Sequence, residues 1–437
     1  MTIRTTRARG TATALITAAV LAVTAVPATA QDDAAPTFSP EDLEKGAVLT
    51  EFLENLDEWL PTVNHIDPES LPVTFSFEDV SSHIVLDMVF EGGDPLTVFL
   101  DTGGATTVTQ EVADASGGEV LVEMLNRAAG GSFLWLPIQQ YPPLTVEGAL
   151  TVTEPTAQVG WAAAGDFYCF GRDGLLGATA MRNAVWQIDF GTNEITVGAS
   201  VDQLDHIADA IALPFTVGGS GISPTPHVEV GIGDGTLDFA VDSGGAIPLT
   251  VGPEQLASVG VEVPDDAPLT AGLGFGAAGP VEGPASATIT LPVTIGGAEF
   301  EAPVFVNAGF APTSDGNMGY KFLENFVVTI DWSTSTMYLE PLSEDGVAAL
   351  DDPAPATIAW LDGDLVVGSL QKGASADEAG LAVGEVITSV DGESVEGLTL
   401  DQYCADIVGQ PHQSLTTASG TYDLSPVEGF FESGAAE

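Results

Sequence analysis

The chain has 437 residues, of which 45% are apolar and 16% are charged, and it contains 50 glycines and 28 prolines. A chain of this length can hold two or three domains, and the many Gly and Pro residues between short apolar runs favour a β-rich fold over a helix bundle. With 63 acidic and 9 basic residues, the formal net charge of −54 excludes nucleic acid and anionic membrane surfaces as partners.

The first 30 residues have the layout of a secretory signal peptide. Arg4, Arg7 and Arg9 give a basic start, residues 11–26 are uncharged and apolar, and Ala28-Thr29-Ala30 offers small residues at a cleavage point. We therefore expect an exported protein, periplasmic or secreted, whose net charge becomes −57 once the three arginines are removed. An uncleaved membrane anchor is the alternative, which the short apolar run disfavours.

Residues 31–70 are predicted to form an N-terminal helical segment. The helix is expected over residues 39–60, with a suitable start at Ser39-Pro40-Glu41-Asp42 and an apolar face that includes Leu49 and Leu53. We interpret it as a packing element without chemistry. A pro-segment that has to be removed would also fall in these residues.

The sequence then repeats itself. Leu71-Pro72 recurs as Leu213-Pro214, LTVFLDTGGA at 96–105 recurs as LDFAVDSGGA at 237–246, and VWQID at 185–189 recurs as VVTID at 327–331, at offsets of 142, 141 and 142. A constant period over most of a domain indicates internal duplication. We predict two homologous β lobes, residues 71–205 and 206–342. The first lobe carries extra residues around Trp161 to Phe170, which include Cys169.

Each half of the repeat contains an aspartate in the same setting. Asp101-Thr102-Gly103 and Asp242-Ser243-Gly244 both follow a run of β-forming residues, and the glycine permits a tight turn that brings backbone N–H groups near the carboxylate. Two such turns related by a twofold axis would place the carboxylates face to face. Two close carboxylates share one proton, so one can act as a general base on water while the other donates to a substrate carbonyl group.

These residues resemble the pepsin/retropepsin-type aspartic peptidases, whose catalytic triplet is Asp-Thr/Ser-Gly and whose second signature is the downstream element seen here as Leu175-Leu176-Gly177. The resemblance covers most of residues 71–341. It implies a mainly β, bilobal acid protease core in which Asp101 and Asp242 are catalytic. It also implies that Thr102 and Ser243 exchange hydrogen bonds between the lobes, and that Gly177 and Gly319 sit beside the Asp turns.

The sequence departs from this family in two ways. Glycine follows each triplet, as Gly104 and Gly245, where Ala, Ser or Thr is usual, and Asn317 replaces the first apolar residue of the downstream element in the second lobe. The glycines leave no hydroxyl group to support the outer carboxylate oxygen, as in relatives that have Ala there, and Asn317 loosens the match without removing the glycine that follows. The flap that closes over the substrate is not identifiable, and the Gly-rich stretches near Gly130-Gly131 and at 272–279 are the candidates.

Residues 343–357 are acidic and rich in Ala and Pro, which predicts a linker. Beyond it, ASADEAGLAVGEVITSVDG at 374–392 resembles the core of PDZ domains, so residues 358–437 are expected to form a small α+β domain that captures extended peptides, often C-termini, by strand addition. The last 25 residues lack the strongly alternating final strand of such domains. The whole chain is thus similar to bacterial exported aspartyl proteases that carry a PDZ domain.

Other chemistries find little support in the sequence. The five histidines show no zinc-ligand spacing, no G-x-S-x-G is present, and His83 and His227 occupy equivalent repeat positions, which favours a structural role. Cys169 and Cys404 are the only cysteines, and a disulfide and two buried thiols are equally compatible with the sequence. We predict an aspartic endopeptidase without cofactor or metal, a monomer acting on peptides or proteins. The alternative is an inactive peptidase-like protein that binds peptides.

Overall fold

The computed structural model describes residues 39–127, 133–163, 165–218, 223–276, 279–282, 285–307, 314–344 and 346–431. The predicted signal peptide and the Gly130-Gly131 stretch lie outside these ranges. Within them, no helix is both long and apolar enough to cross a membrane.

The chain begins with helices that pack on the first lobe, and the predicted helix over 39–60 is interrupted because Asn55 leaves the helical conformation and ends its first part. The strands of the first lobe are β1 (His65–Ile66), β2 (Val73–Ser76), β3 (Glu78–Asp79), β4 (Ile84–Phe90), β5 (Leu96–Asp101), β6 (Thr107–Val108), β7 (Glu119–Arg127), β8 (Phe133–Gln140), β9 (Leu144–Val146), β10 (Leu150–Thr153), β11 (Thr156–Val159), β12 (Gly174–Gly177), β13 (Val185–Asp189) and β14 (Glu194–Gly198). The helices up to this point are α1 (Pro40–Glu54), α2 (Leu56–Trp59), α3 (Gln110–Ser116), α4 (Phe167–Phe170) and α5 (Ala178–Met181), with 3₁₀ turns at Leu60–Thr62, Pro68–Ser70 and Val201–Gln203.

The second lobe repeats the order of the first. Its strands are β15 (Ile211–Gly218), β16 (Thr225–Ile232), β17 (Gly235–Asp242), β18 (Leu249–Val251), β19 (Leu269–Gly276), β20 (Gly279–Glu282), β21 (Ser286–Ile295), β22 (Ala298–Val306), β23 (Gly316–Gly319), β24 (Phe326–Asp331) and β25 (Thr336–Pro341), and its helices are α6 (Pro253–Ser258) and α7 (Tyr320–Leu323). In both lobes, the strand that ends in aspartate pairs with a parallel strand from the end of the lobe, β5 with β12 and β17 with β23.

The two lobes join through one continuous sheet. Strand β13 of the first lobe pairs antiparallel with β24 of the second, in the order β2-β14-β13-β24-β25-β15. The pairing is nearly symmetric about Gln187 and Thr329, whose side chains hydrogen-bond at 2.8 Å. One hydrophobic core runs under both lobes, from Trp186 in the first to Phe326 in the second. The prediction of a mainly β, two-lobed fold is confirmed by this strand order.

The C-terminal module comprises residues 356–431. It contains strands β26 (Ala356–Leu361), β27 (Asp364–Gln371), β28 (Ile387–Val390), β29 (Glu393–Ser394), β30 (Ser414–Thr417) and β31 (Thr421–Asp423) with helices α8 (Ser375–Glu378) and α9 (Leu400–Asp406). Strand β26 starts at Ala356, inside the segment predicted as a linker, and the last residues form the two short strands β30 and β31. The module has its own apolar core, which includes Val367, Tyr403 and Leu415.

Both lobes present a hairpin that a neighbouring element covers. In the first lobe, α1 packs on the β7–β8 hairpin through Leu49, and Lys45 Nζ lies 2.9 Å from Glu123 Oε1. In the second lobe, β19 pairs antiparallel with β27 of the C-terminal module, from Thr270–Gln371 to Gly272–Ser369. The N-terminal helix and the C-terminal module thus each extend the structure of one lobe at its hairpin.

Candidate active site

Asp101 and Asp242 each end a strand of their own lobe. Asp101 is the last residue of β5 and Asp242 the last residue of β17, and the parallel strands β12 and β23 bring Gly177 beside Asp101 and Gly319 beside Asp242. Because successive residues of a strand point to opposite faces, each carboxylate lies on the face opposite to the buried residue before it. The two carboxyl groups meet and hydrogen-bond each other between the lobes.

The glycines after each aspartate allow this close approach. Gly103 N donates to Asp101 Oδ1 over 2.7 Å, and Gly244 N donates to Asp242 Oδ1 over 3.1 Å. A Cβ atom at Gly103 would lie 2.8 Å from Asp242 Cγ, and one at Gly244 would lie 2.7 Å from Asp101 Cγ. Each glycine therefore packs against the carboxyl group of the other lobe, and any larger residue would push the two turns apart.

Thr102 and Ser243 join the two turns through four hydrogen bonds. Thr102 N donates to Ser243 Oγ over 3.1 Å, and Ser243 N donates to Thr102 Oγ1 over 3.0 Å. Thr102 Oγ1 then donates to Val241 O and Ser243 Oγ to Leu100 O, each over 2.9 Å. Both side chains are buried, so loss of a partner would leave a polar group unpaired away from water. This exchange fixes the lateral position of the two carboxylates.

The glycines of the downstream elements, Gly177 and Gly319, likewise have no room for a side chain. A Cβ atom at Gly177 would lie 2.3 Å from Ala105 C, and one at Gly319 would lie 2.1 Å from Ile247 O. At Gly104 a Cβ atom would lie 2.6 Å from Asp101 Oδ2, shorter than real Cβ contacts. This turn therefore has room only for glycine at position 104, so Gly104 is not the weakness that the sequence suggested.

The two carboxyl groups are electrostatically coupled. Burial raises the pKa of Asp101 well above its usual range, and the negative charge of Asp242 and the hydrogen bond to it raise this pKa further. The backbone N–H groups of Gly103 and Gly104 act in the opposite direction. Asp101 therefore keeps a proton at pH values where an isolated aspartate is ionised.

Asn317 contacts the pair directly, which sequence reasoning missed. Its Nδ2 donates to Asp242 Oδ2 over 2.7 Å, from the strand position opposite Ala240. The replacement of an apolar residue by Asn in the downstream element is the signal available in the sequence, where the pattern alone indicates only a weaker match to the family. The structure shows instead that it adds a hydrogen-bond donor to the site.

His83 approaches the site from the first lobe. Its ring stacks on Phe170 with centroids 4.5 Å apart, and it interacts with the backbone of Gly244 and with the charge of Asp242. Burial lowers the pKa of His83, so the ring is neutral except in acid. Its repeat counterpart His227 is bound to Asp238, with 2.7 Å between Nδ1 and Oδ2, so the two histidines have different surroundings.

The extra residues of the first lobe connect this region to the C-terminal module. Cys169 on α4 forms a disulfide with Cys404 on α9, which settles the alternative that the sequence left open. The hydroxyl group of Tyr403 donates to Asp166, and it also interacts with the backbone of Trp360 on β26. Burial raises the pKa of Asp166. The module is therefore docked on the lobe next to the ring cluster that surrounds His83.

The described residues contain no group of three or more His, Cys, Asp or Glu side chains that could hold a metal ion. At the site itself, two carboxyl groups face each other and hydrogen-bond donors surround them. Such a site can take a proton from water and give one to an acceptor on the opposite side.

Residues 366–417 match the family model of the PDZ domain. No curated protein matches the sequence. Among solved structures, the chain is similar to an aspartic proteinase from Irpex lacteus, with 14% identity, a TM-score of 0.40, and coverage of 63% of this chain and 97% of that one. It is also similar to Basic 7S globulin from soybean, with 11% identity, a TM-score of 0.37, and coverage of 64% and 99%.

Proposed function

We propose that the protein is an exported aspartic endopeptidase in which Asp101 and Asp242 activate a water molecule for peptide-bond hydrolysis. The observation that carries this proposal is the hydrogen-bonded pair of carboxyl groups, one from each lobe, with a raised pKa at Asp101. Carboxyl groups with strongly perturbed pKa values cluster at functional sites. The four hydrogen bonds of Thr102 and Ser243 support it, because they fix the geometry of the pair without contributing chemistry of their own.

The mechanism follows from the different states of the two groups. A water molecule held by the pair loses a proton to the ionised Asp242, and its oxygen adds to the carbonyl carbon of the scissile bond. Asp101 gives its proton to the carbonyl oxygen, which yields a neutral tetrahedral diol. The diol collapses when the leaving nitrogen takes up the proton held by Asp242 and a hydroxyl proton returns to Asp101. The C–N bond breaks, no covalent enzyme intermediate forms, and the pair returns to its starting state.

Cleavage of an unfolded protein tests the proposal. We expect fluorescein-labelled, denatured casein to be cleaved at acidic pH, and we expect Asp101→Asn and Asp242→Asn each to lower the rate by about 10²–10⁴-fold or more, because each removes one of the two proton-transfer groups. Asp94→Asn, in the exposed turn between β4 and β5, is the matched control. A wild-type protein that is folded but inert from pH 3 to pH 8 would leave the alternative of a peptide-binding protein without catalytic activity.

Export and peptide recruitment complete the proposal. The Cys169–Cys404 disulfide supports export, since disulfides persist in oxidising compartments. Fusion of residues 1–30 to a reporter, followed by N-terminal sequencing of the exported product, tests export.

We further propose that the PDZ domain assists recognition of substrate peptides, with the protein acting as a monomer. The match to PDZ domains over residues 366–417 supports this role, since such domains bind peptides by strand addition.

A further inference from the structure

The two lobes differ at one position next to the carboxyl pair. Leu175 on β12 and Asn317 on β23 are equivalent in the repeat, and each lies on the strand that runs parallel to the one ending in aspartate. Leu175 lies opposite Phe99 and packs with it in an apolar cluster. Asn317 instead lies opposite the small side chain of Ala240. The duplication therefore yields two similar turns, but a polar side chain is present on one side only.

The amide of Asn317 is oriented toward the carboxylate of Asp242. Its Nδ2 donates to Oδ2 over 2.7 Å while Gly244 N donates to Oδ1 over 3.1 Å, so both oxygen atoms of Asp242 accept a hydrogen bond. Hydrogen bonds from N–H donors favour the charged form of a carboxyl group. Asp101 accepts from the backbone N–H groups of Gly103 and Gly104, but the side chain equivalent to Asn317 is that of Leu175, which has no donor. Asn317 thus adds a side-chain donor that favours the negative charge on Asp242.

This orientation leaves the other end of the amide unpaired. Asn317 Oδ1 is buried and has no hydrogen-bond partner among the residues that the structure describes. A buried unpaired carbonyl oxygen destabilises a folded protein, whereas an apolar residue of similar size at the same place would not. The second lobe therefore contains an unpaired buried oxygen at a position where the first lobe has Leu175. A local cost of this kind is typical of residues that serve a site rather than the fold.

Other ionisable groups on the surrounding elements do not account for the asymmetry. On β17, Asp238 is bound to His227 with 2.7 Å between Oδ2 and Nδ1, and strands β18 and β23 carry no ionisable side chain. From the first lobe, His83 faces the second turn, and it is neutral above the acid range because it is buried. At pH values where His83 is neutral, Asn317 is thus the group on these strands that distinguishes one carboxyl group from the other.

We propose that Asn317 is a positioning residue of the pair: its amide holds the negative charge on Asp242 and leaves the proton on Asp101, so that Asp242 is the base and Asp101 the acid. The inference rests on the proposed peptidase function for its catalytic consequence. The distribution of the proton between the two groups is, however, a property of the folded protein that can be measured without a substrate.

The direct test is a ¹³C-NMR titration of full-length protein labelled at the aspartate Cγ atoms. Difference spectra with Asp101→Asn and Asp242→Asn assign the two signals. Between pH 5 and pH 6 we expect the Asp101 signal at the position of a protonated carboxyl group and the Asp242 signal at that of a carboxylate. In Asn317→Leu, which copies the first lobe, we expect the two signals to approach each other. A protonated Asp242 in the wild type, or spectra unchanged by N317L, would overturn the proposal even if the protein were inactive.

Kinetics and stability give the second readout. For N317L we expect the acidic limb of the kcat/KM profile to move up by about one pH unit, because the base loses a donor that favours its ionised form. We expect the Tm to stay equal or to rise, since an unpaired buried oxygen is removed. Met318→Leu, a buried residue of the same strand on the opposite face, is the control and should leave both quantities unchanged. A lower Tm with an unshifted profile would show that Asn317 serves packing alone.

Discussion

At the scale of single residues, the site is organised by contacts between the lobes rather than within them. Gly103 packs on the carboxyl group of Asp242, Gly244 packs on that of Asp101, and the pair Thr102 and Ser243 exchange hydrogen bonds across the same boundary. The position of either carboxylate therefore depends on both halves of the chain. A substitution in one turn is expected to change the geometry of the other.

Asp101 provides a prediction about stability and pH. Its pKa is raised in the folded protein, so folding favours its neutral form. The resulting stabilisation is complete below the unfolded value of about 3.9 and is lost as pH rises through the folded pKa. Asp101→Asn keeps the neutral shape at every pH, and we expect its Tm to exceed that of the wild type at pH 7 and to approach it at pH 4. Thermal unfolding of both proteins at the two pH values measures this difference.

The same experiment has a matched control in Asp94→Asn, whose Tm should follow that of the wild type at both pH values because its carboxylate is exposed. If Asp101→Asn were instead less stable than the wild type at pH 7, the ionised form of Asp101 would be the stabilising one. The proton would then not reside on Asp101, where the proposed mechanism requires it.

The sequence allowed much of the site to be predicted, because a glycine-bounded Asp turn is a local feature and the repeat showed that it occurs twice. What could not be predicted is the set of contacts that cross the chain at long range. Asn317 was recognised as unusual, but its hydrogen bond to Asp242 depends on the pairing of β17 with β23. The same holds for His83, whose approach to Gly244 depends on the docking of the two lobes.

At the scale of elements, the connections between α4 and α9 join the C-terminal module to the first lobe. They consist of the Cys169–Cys404 disulfide and the hydrogen bond from Tyr403 to Asp166. On the other side, β27 of the module extends the second lobe at β19. Neither docking surface could be predicted from the sequence, because a strand edge or a helix face has the same residue pattern whether another part of the chain or water covers it.

Removal of the disulfide tests the importance of this connection. The bridge spans 235 residues, and loop closure of this size is worth up to about 5 kcal/mol in chain-entropy models, although the measured range extends down to zero. We expect Cys169→Ser/Cys404→Ser to have a lower Tm and faster hydrogen exchange over residues 161–171 and 400–407, because Tyr403 and β19 hold the module more weakly on their own.

Reduction of the wild type should reproduce this effect, whereas the double variant should be insensitive to reductant. An unchanged Tm in both cases would mean that the β19–β27 pairing alone fixes the module. The disulfide would then contribute nothing measurable to the assembly of the chain.

At the scale of the whole molecule, the duplication accounts for both the fold and the site. The strands β13 and β24, equivalent in the repeat, pair with each other and join the lobes into one sheet. This symmetry brings the ends of β5 and β17 together and places one aspartate from each on either side of the boundary. Asn317 and the extra residues around Cys169 break this symmetry. Asn317 contacts the carboxyl pair, and Cys169 is bonded to the C-terminal module.

In the proposed mechanism, Asp101 and Asp242 work as one pair that shares a single proton. The most direct test of this mechanism is the pH dependence of kcat/KM for one peptide that the wild type cleaves. We expect a bell-shaped profile with its maximum at acidic pH, because activity requires one ionised and one protonated carboxyl group and is lost as pH rises through the raised pKa of Asp101. Activity that rises steadily above pH 8, or that survives in either Asp→Asn variant, would contradict it.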